Sequence, residues 1–137
     1  MRRTTRTGIY SGVGFGTEIV FSALHDIVRK RAPRFRTSAW MFPIYALIQP
    51  LYEPMHDALR DRPGYQRAIT YSAGFLAIEY STGWLLRQLR GEAPWDYSET
   101  SLNVDGLIRL DYSIFWAAAG LALEPLHDSL VARSSTP

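Results

Sequence analysis

Two short stretches of this chain carry nearly the same chemistry: residues 51–59 read LYEPMHDAL and residues 121–130 read LALEPLHDSL. In each, a glutamate precedes a histidine by three positions (Glu53 and His56, Glu124 and His127), and an aspartate follows directly, Asp57 or Asp128. Side chains three apart on a helix share one face. A carboxylate and an imidazole held together are donors suited to iron, manganese or zinc. One Glu-x-x-His pair is common and says little; two copies in one small chain are a pattern.

Two further glutamates, Glu18 and Glu79, stand in the apolar stretches that precede the two motifs. The order is then Glu, Glu-x-x-His, Glu, Glu-x-x-His, the ligand set of ferritin-like bundles that hold two metal ions. In that reading Glu18 and Glu79 are terminal ligands, Glu53 and Glu124 bridge, and His56 and His127 supply terminal nitrogens. The expected cofactor is two iron, manganese or zinc ions, with redox chemistry on a lipid or quinone as the corresponding function. Two other readings stay open: a cluster of glutamates that relays protons or takes a cationic substrate, and a purely structural set paired with arginines or across helices. Asp57, Asp128 and the separate pair His25-Asp26 are expected as supporting or interfacial groups. The chain has no cysteine, which excludes disulfides, thiolate metal sites and covalent c-type haem.

The elements that must position these groups are four apolar segments, at about residues 8–28, 38–59, 67–89 and 107–131. Each approaches the roughly 20 residues needed to cross a bilayer. Mean hydropathy is only −0.11 with 20% charged residues, but the arginines crowd into runs such as RKRAPRFR between those segments. The expectation is an all-α, integral membrane four-helix bundle, one domain over residues 1–137, with the first segment retained as a helix rather than cleaved as a signal peptide. Trp40, Trp84, Trp95 and Trp116 lie mostly toward segment ends, as interfacial aromatics do. Gly8, Gly12 and Gly16 recur every fourth residue and predict a smooth face for close helix packing. The chain also repeats itself: GVGFGTEIVFSALHDIVRKRAP echoes SAGFLAIEYSTGWLLRQLRGEAP ahead of the two Glu-Pro-x-His-Asp motifs, so it reads as two tandem helical hairpins. Basic residues divide almost evenly between the two sides, with the dense run favouring a cytoplasmic first loop. Lying beside apolar segments, they point to lipid headgroups rather than nucleic acid as the partner.

Between the third and fourth segments runs RGEAPWDYSETSLNVDG, long for a connection without structure of its own and expected as a lid or an interfacial clip. Its Pro94, Trp95, Asp96, Tyr97 and Ser98 form a signature. With EYSTGWLLRQLRGEAPWDYS, GLIRLDYSIFW, TEIVFSALHDIV and SAWMFPIYALIQPLYEPMHDALRDR, the chain resembles the transmembrane protein 229 family of animals. Over almost its whole length it is similar also to the bacterial family labelled putative type IV ABC-transporter permeases. The resemblance implies a polytopic helical membrane protein, located in the bacterial inner membrane. A permease-like subunit with proton-relaying glutamates, or a small membrane scaffold or assembly factor, are the alternatives to the metal protein, with a homo-oligomer or a larger membrane subunit as partner. No nucleotide-binding loop of the G-x-x-x-x-G-K-[ST] type occurs, so an ATP-driven role requires a separate ATPase subunit.

Overall fold

The computed structural model of the protein describes residues 3–30, 32 and 37–134. Part of the RKRAPRFR run and the extreme ends, Arg2 included, lie outside the described residues. Helix α1 spans Arg3–Val28, α2 Met41–Ala46, α3 Ile48–Leu59, α4 Gly64–Arg90 and α5 Ser113–Ser134. A two-residue antiparallel ladder, β1 (Asn103–Val104) with β2 (Ile108–Arg109), and a 3-10 turn at Leu110–Tyr112 precede α5. The all-α class holds. The chain divides into two units, Met1–Pro50 and Leu51–Pro137.

Local chemistry sets the boundaries. The second apolar segment forms two helices because Pro50 has no N–H to give the carbonyl of Ala46, where α2 ends. The Leu47 N–H turns back to Ile44 instead, at 3.0 Å. Pro43 is tolerated in the first turn of α2, where its missing donor has no partner to lose. Helix α4 starts after Pro63 and stops at Gly91, whose φ of 83° lets its N–H cap the Arg87 carbonyl at 2.9 Å.

These lengths and compositions overturn the membrane expectation. No helix among the described residues is long and apolar enough to cross a membrane. Helices α2 and α3 have 6 and 12 residues, or roughly 9 and 18 Å at about 1.5 Å per residue, against about 30 Å of hydrocarbon. The longer helices carry ionisable groups along their length, Arg6, Glu18 and Asp26 on α1, Arg67, Glu79 and Arg87 on α4, and Glu124, Asp128 and Arg133 on α5. The integral membrane bundle is therefore corrected. With it go the bilayer and a larger membrane subunit as partners, the inner-membrane location, and the redox chemistry on a lipid or quinone, permease and membrane-scaffold functions that presuppose it.

In the first unit α1 packs on α2. Phe15 meets Phe42 edge to face at 6.2 Å, and Gly14 lies so close to the Tyr45 ring that a methyl group there has no room. At Gly8, Gly12 and Gly16 an added methyl meets nothing within 4 Å, so among the described residues Gly14 marks the close approach. Glu18 is partly buried here, accepting from the Thr37 hydroxyl at 3.1 Å through Oε1, while its Oε2 makes no hydrogen bond among the described residues. Burial pushes its carboxyl above the ordinary glutamate range, against hydrogen bonds from Thr37 and Tyr45 that pull it down. An acid raised on folding favours the protonated form, so its cost is absent below the unfolded value and complete above the folded one. Glu18→Gln, which fills the same space without a charge to desolvate, is therefore expected to stabilise the protein by about 1 kcal/mol at pH 7–8. The gain should disappear near pH 4, which urea melts at the two pH values would show.

The core of the second unit is α4 against α5. Ser72 donates to the Ser113 carbonyl at 2.7 Å, Phe75 packs on Trp116 at 5.4 Å, and Tyr71 lies against Gly120. Tyr52 of α3, fully buried, donates to the Gly120 carbonyl at 2.6 Å. The connection after α4 is folded. Asp105 and Gly106, both at positive φ, close a tight turn in which Leu107 N–H returns to Val104 at 2.9 Å.

Candidate metal centre

The two Glu-Pro-x-His-Asp motifs lie on α3 and α5, and both prolines sit inside their helices. Glutamate and histidine of one motif do not pair with each other; the motifs answer one another across the helix pair. His56 stands between Glu124, Nδ1 to Oε1 at 3.7 Å, and Asp128, Nε2 to Oδ1 at 3.5 Å. His127 stands between Glu53 at 3.8 Å on its Nδ1 side and Asp57 at 3.4 Å on its Nε2 side. The two imidazoles meet edge to face, centroids 4.8 Å apart, both almost fully buried. This reciprocal arrangement explains why the motif occurs twice: each copy supplies one histidine and the two carboxylates that flank the other copy's histidine.

Around His56 the network is tightly specified. Its Nδ1 is 2.8 Å from the Tyr71 oxygen, and Tyr71 O–H donates to Glu124 Oε1 at 2.9 Å. Burial, with the Glu124 carboxylate beside it, drives the Tyr71 phenol far above its ordinary range, so it keeps its proton. That single proton goes to Glu124, so the phenol oxygen must accept from His56 Nδ1–H. With that proton on Nδ1, the lone pair of a neutral ring lies on Nε2, facing Asp128. Arg67 completes the set from α4, with Nε 3.0 Å from Glu124 Oε1 and Nη1 donating to the Arg60 carbonyl, just past the end of α3, at 3.2 Å.

His56, His127 and Asp128 each offer a donor atom, all within 4.8 Å of one another, and form a cluster able to coordinate one metal ion. Bonds near 2.1 Å place three donors roughly 3–3.5 Å apart, so the shell closes by about an ångström of side-chain movement. Asp128 is half exposed and can supply it once its ion pair with Arg60 opens. Its carboxyl is held below the usual range by the Arg60 guanidinium, which donates to it at 2.8 Å.

The remaining sequence-predicted residues are placed as follows. Glu53 and Glu124 face the histidine Nδ1 atoms rather than one another. Glu79 accepts from Tyr97 O–H at 3.0 Å and from Trp116 Nε1–H at 3.2 Å, one partner on each oxygen. Glu18, His25 and Asp26 belong to α1 in the first unit, where the His25 ring lies against Phe21. The loop signature braces α4: Trp95 packs on Gly83 and donates to the Leu107 carbonyl at 2.7 Å, Tyr97 holds Glu79, and Asp96 caps the Ser98 N–H at 2.9 Å. Sequence reasoning missed Tyr71, Arg67 and Arg60. A signal existed for two of them: the duplication repeats Arg-x-x-x-Tyr-Ser ahead of each lone glutamate, as Arg6, Tyr10, Ser11 and Glu18, then Arg67, Tyr71, Ser72 and Glu79.

The family described as "Putative ABC-transporter type IV" matches residues 8–136. No solved structure gives a significant match.

Proposed function

The chain belongs to the family described as "Putative ABC-transporter type IV", and we propose that this member binds a single divalent first-row metal ion between its two Glu-Pro-x-His-Asp motifs. His56 Nε2, His127 and Asp128 hold the ion. The observation that carries the reading is His56: 2% exposed, its Nδ1 at hydrogen-bond distance from Tyr71, and its Nε2 buried with no hydrogen bond among the described residues. A buried lone pair facing a carboxylate across 3.5 Å is what a metal ligand offers, and the outer hydrogen bond that fixes the tautomer is the usual support for one. Two imidazoles and a carboxylate without sulfur suit zinc, with iron and manganese behind it in the usual order of affinities. One ion is favoured over two because Glu53 and Glu124 are directed to the histidine Nδ1 atoms and both oxygens of Glu79 are engaged by Tyr97 and Trp116. Three protein donors leave a coordination position for water or a ligand, on the side where Asp57 and Asp128 meet solvent.

The test is metal analysis of purified protein loaded with zinc, iron or manganese and dialysed against a weak chelator. One ion per chain is expected for the natural sequence. Asp128→Asn should lose it while keeping its melting midpoint in chelator, because an exposed ion pair contributes little to folding. Equal metal content in the two proteins, or none in either, would overturn the proposal. A Tyr71→Phe variant removes the group that orients His56 but none of the donors; about a 10- to 100-fold weaker affinity is expected.

A further inference from the structure

Arg60 stands where an incoming cation must go. Its guanidinium donates to Asp128 at 2.8 Å and to Asp57 at 3.3 Å, joining the two aspartates that flank the histidine pair. The side chain projects from a fixed point, since Arg67 holds the Arg60 carbonyl at the end of α3. The positions are asymmetric: Val131 occupies the place in the second motif that Arg60 occupies in the first, so the duplication supplies this cation once. Behind the guanidinium lie the buried Nε2 of His56 and the ring of His127.

We infer that Arg60 is a resident cation that determines which ions the paired motifs admit. The inference rests on the metal reading above. Asp128 cannot give its lone pairs fully to a metal while it binds the guanidinium, so the metal must displace Arg60. A monovalent ion exchanges one positive charge for another and forfeits the guanidinium's hydrogen bonds to two carboxylates. A divalent ion adds a charge and gains the imidazole donors, so it can win. Once displaced, the guanidinium still stands near the ion and repels it. Two charges against one at about 6 Å in a water-like medium correspond to roughly a tenfold effect on affinity.

Calorimetric titration of the full chain with zinc chloride tests this, using the natural sequence, Arg60→Gln and Arg60→Lys. Arg60 is half exposed, so neither substitution endangers the fold. Arg60→Gln should bind zinc about tenfold more tightly. The advantage should shrink in 0.5 M salt, where charges are screened within about 5 Å. Arg60→Lys, which keeps the charge, should stay within about threefold of the natural protein. Zinc binding by Arg60→Gln alone would also support the inference. If the natural protein binds zinc and Arg60→Gln binds it equally or more weakly, the inference falls while the metal site stands. If neither binds, both fall.

Discussion

Replacing Glu124 by alanine is expected to lower the unfolding free energy by about 3 kcal/mol, a loss readable as a shift of the urea midpoint at constant slope. Glu124 Oε1 accepts from Tyr71 O–H at 2.9 Å and forms an ion pair with Arg67, whose Nε is 3.0 Å away, with the His56 ring at 3.7 Å. Truncation leaves the Tyr71 phenol without its acceptor and the partly buried Arg67 guanidinium without its counter-charge, and frees Tyr71 to turn its proton on His56. The cost is mainly that of stranded partners, which exceeds the value of the bonds themselves. Glu124→Gln separates the two contributions. It keeps an oxygen for Tyr71 and removes the charge that Arg67 needs, so it should cost about half as much. An alanine variant within about 0.5 kcal/mol of the natural protein would show that this network is not cooperative with the fold.

The second large effect is expected at Gly120, where addition of one methyl group should destabilise the protein by about 3 kcal/mol. In the interior of a helix, glycine to alanine ordinarily gains about 1 kcal/mol. Here the new Cβ comes 2.7 Å from Tyr71 Cδ2 and 2.8 Å from its Cγ, and nearer still to its Cβ. The Tyr71 ring cannot swing away, because its hydroxyl is tied to both Glu124 and His56. The helix α5 cannot retreat without losing the Tyr52 hydrogen bond to the Gly120 carbonyl. The internal control has the opposite sign: alanine at Gly8 or Gly12 of α1 meets nothing within 4 Å and should stabilise. Thermal melts of the three variants decide the matter, and a stabilised Gly120→Ala would mean that α4 and α5 are not held in this close approach.

Both predictions concern contacts whose existence the sequence half announces. Tyr71 and Arg67 stand at the same offsets before Glu79 as Tyr10 and Arg6 do before Glu18, so the duplication marks them, but offset alone does not say that they serve Glu124. The loop signature shows the same division. Its composition marks a turn-rich clip, and the Asp-Gly pair at 105–106 is a hairpin signal that a reading for apolar length passes over. The membrane reading failed for a related reason. The missing N–H of Pro50 ends α2 at Ala46 and leaves two helices too short to span, and the longer helices α1, α4 and α5 are not apolar enough.

From the chain alone come the duplication, the helical class, the absence of thiolate ligands and the two Glu-Pro-x-His-Asp motifs, because each depends on residue identity and on spacing within a few turns. What folding alone decided is who faces whom. Three-residue spacing puts Glu53 and His56 on one helix face, but α3 and α5 approach so that each histidine takes the carboxylates of the other copy, with Asp128 in the metal-capable cluster and Arg60 across its mouth. Local geometry sets a side chain's direction. Its partner depends on which helix arrives opposite, and that is settled by the packing of Tyr52 and Tyr71 on Gly120, residues about 50 to 70 positions apart that no local pattern connects.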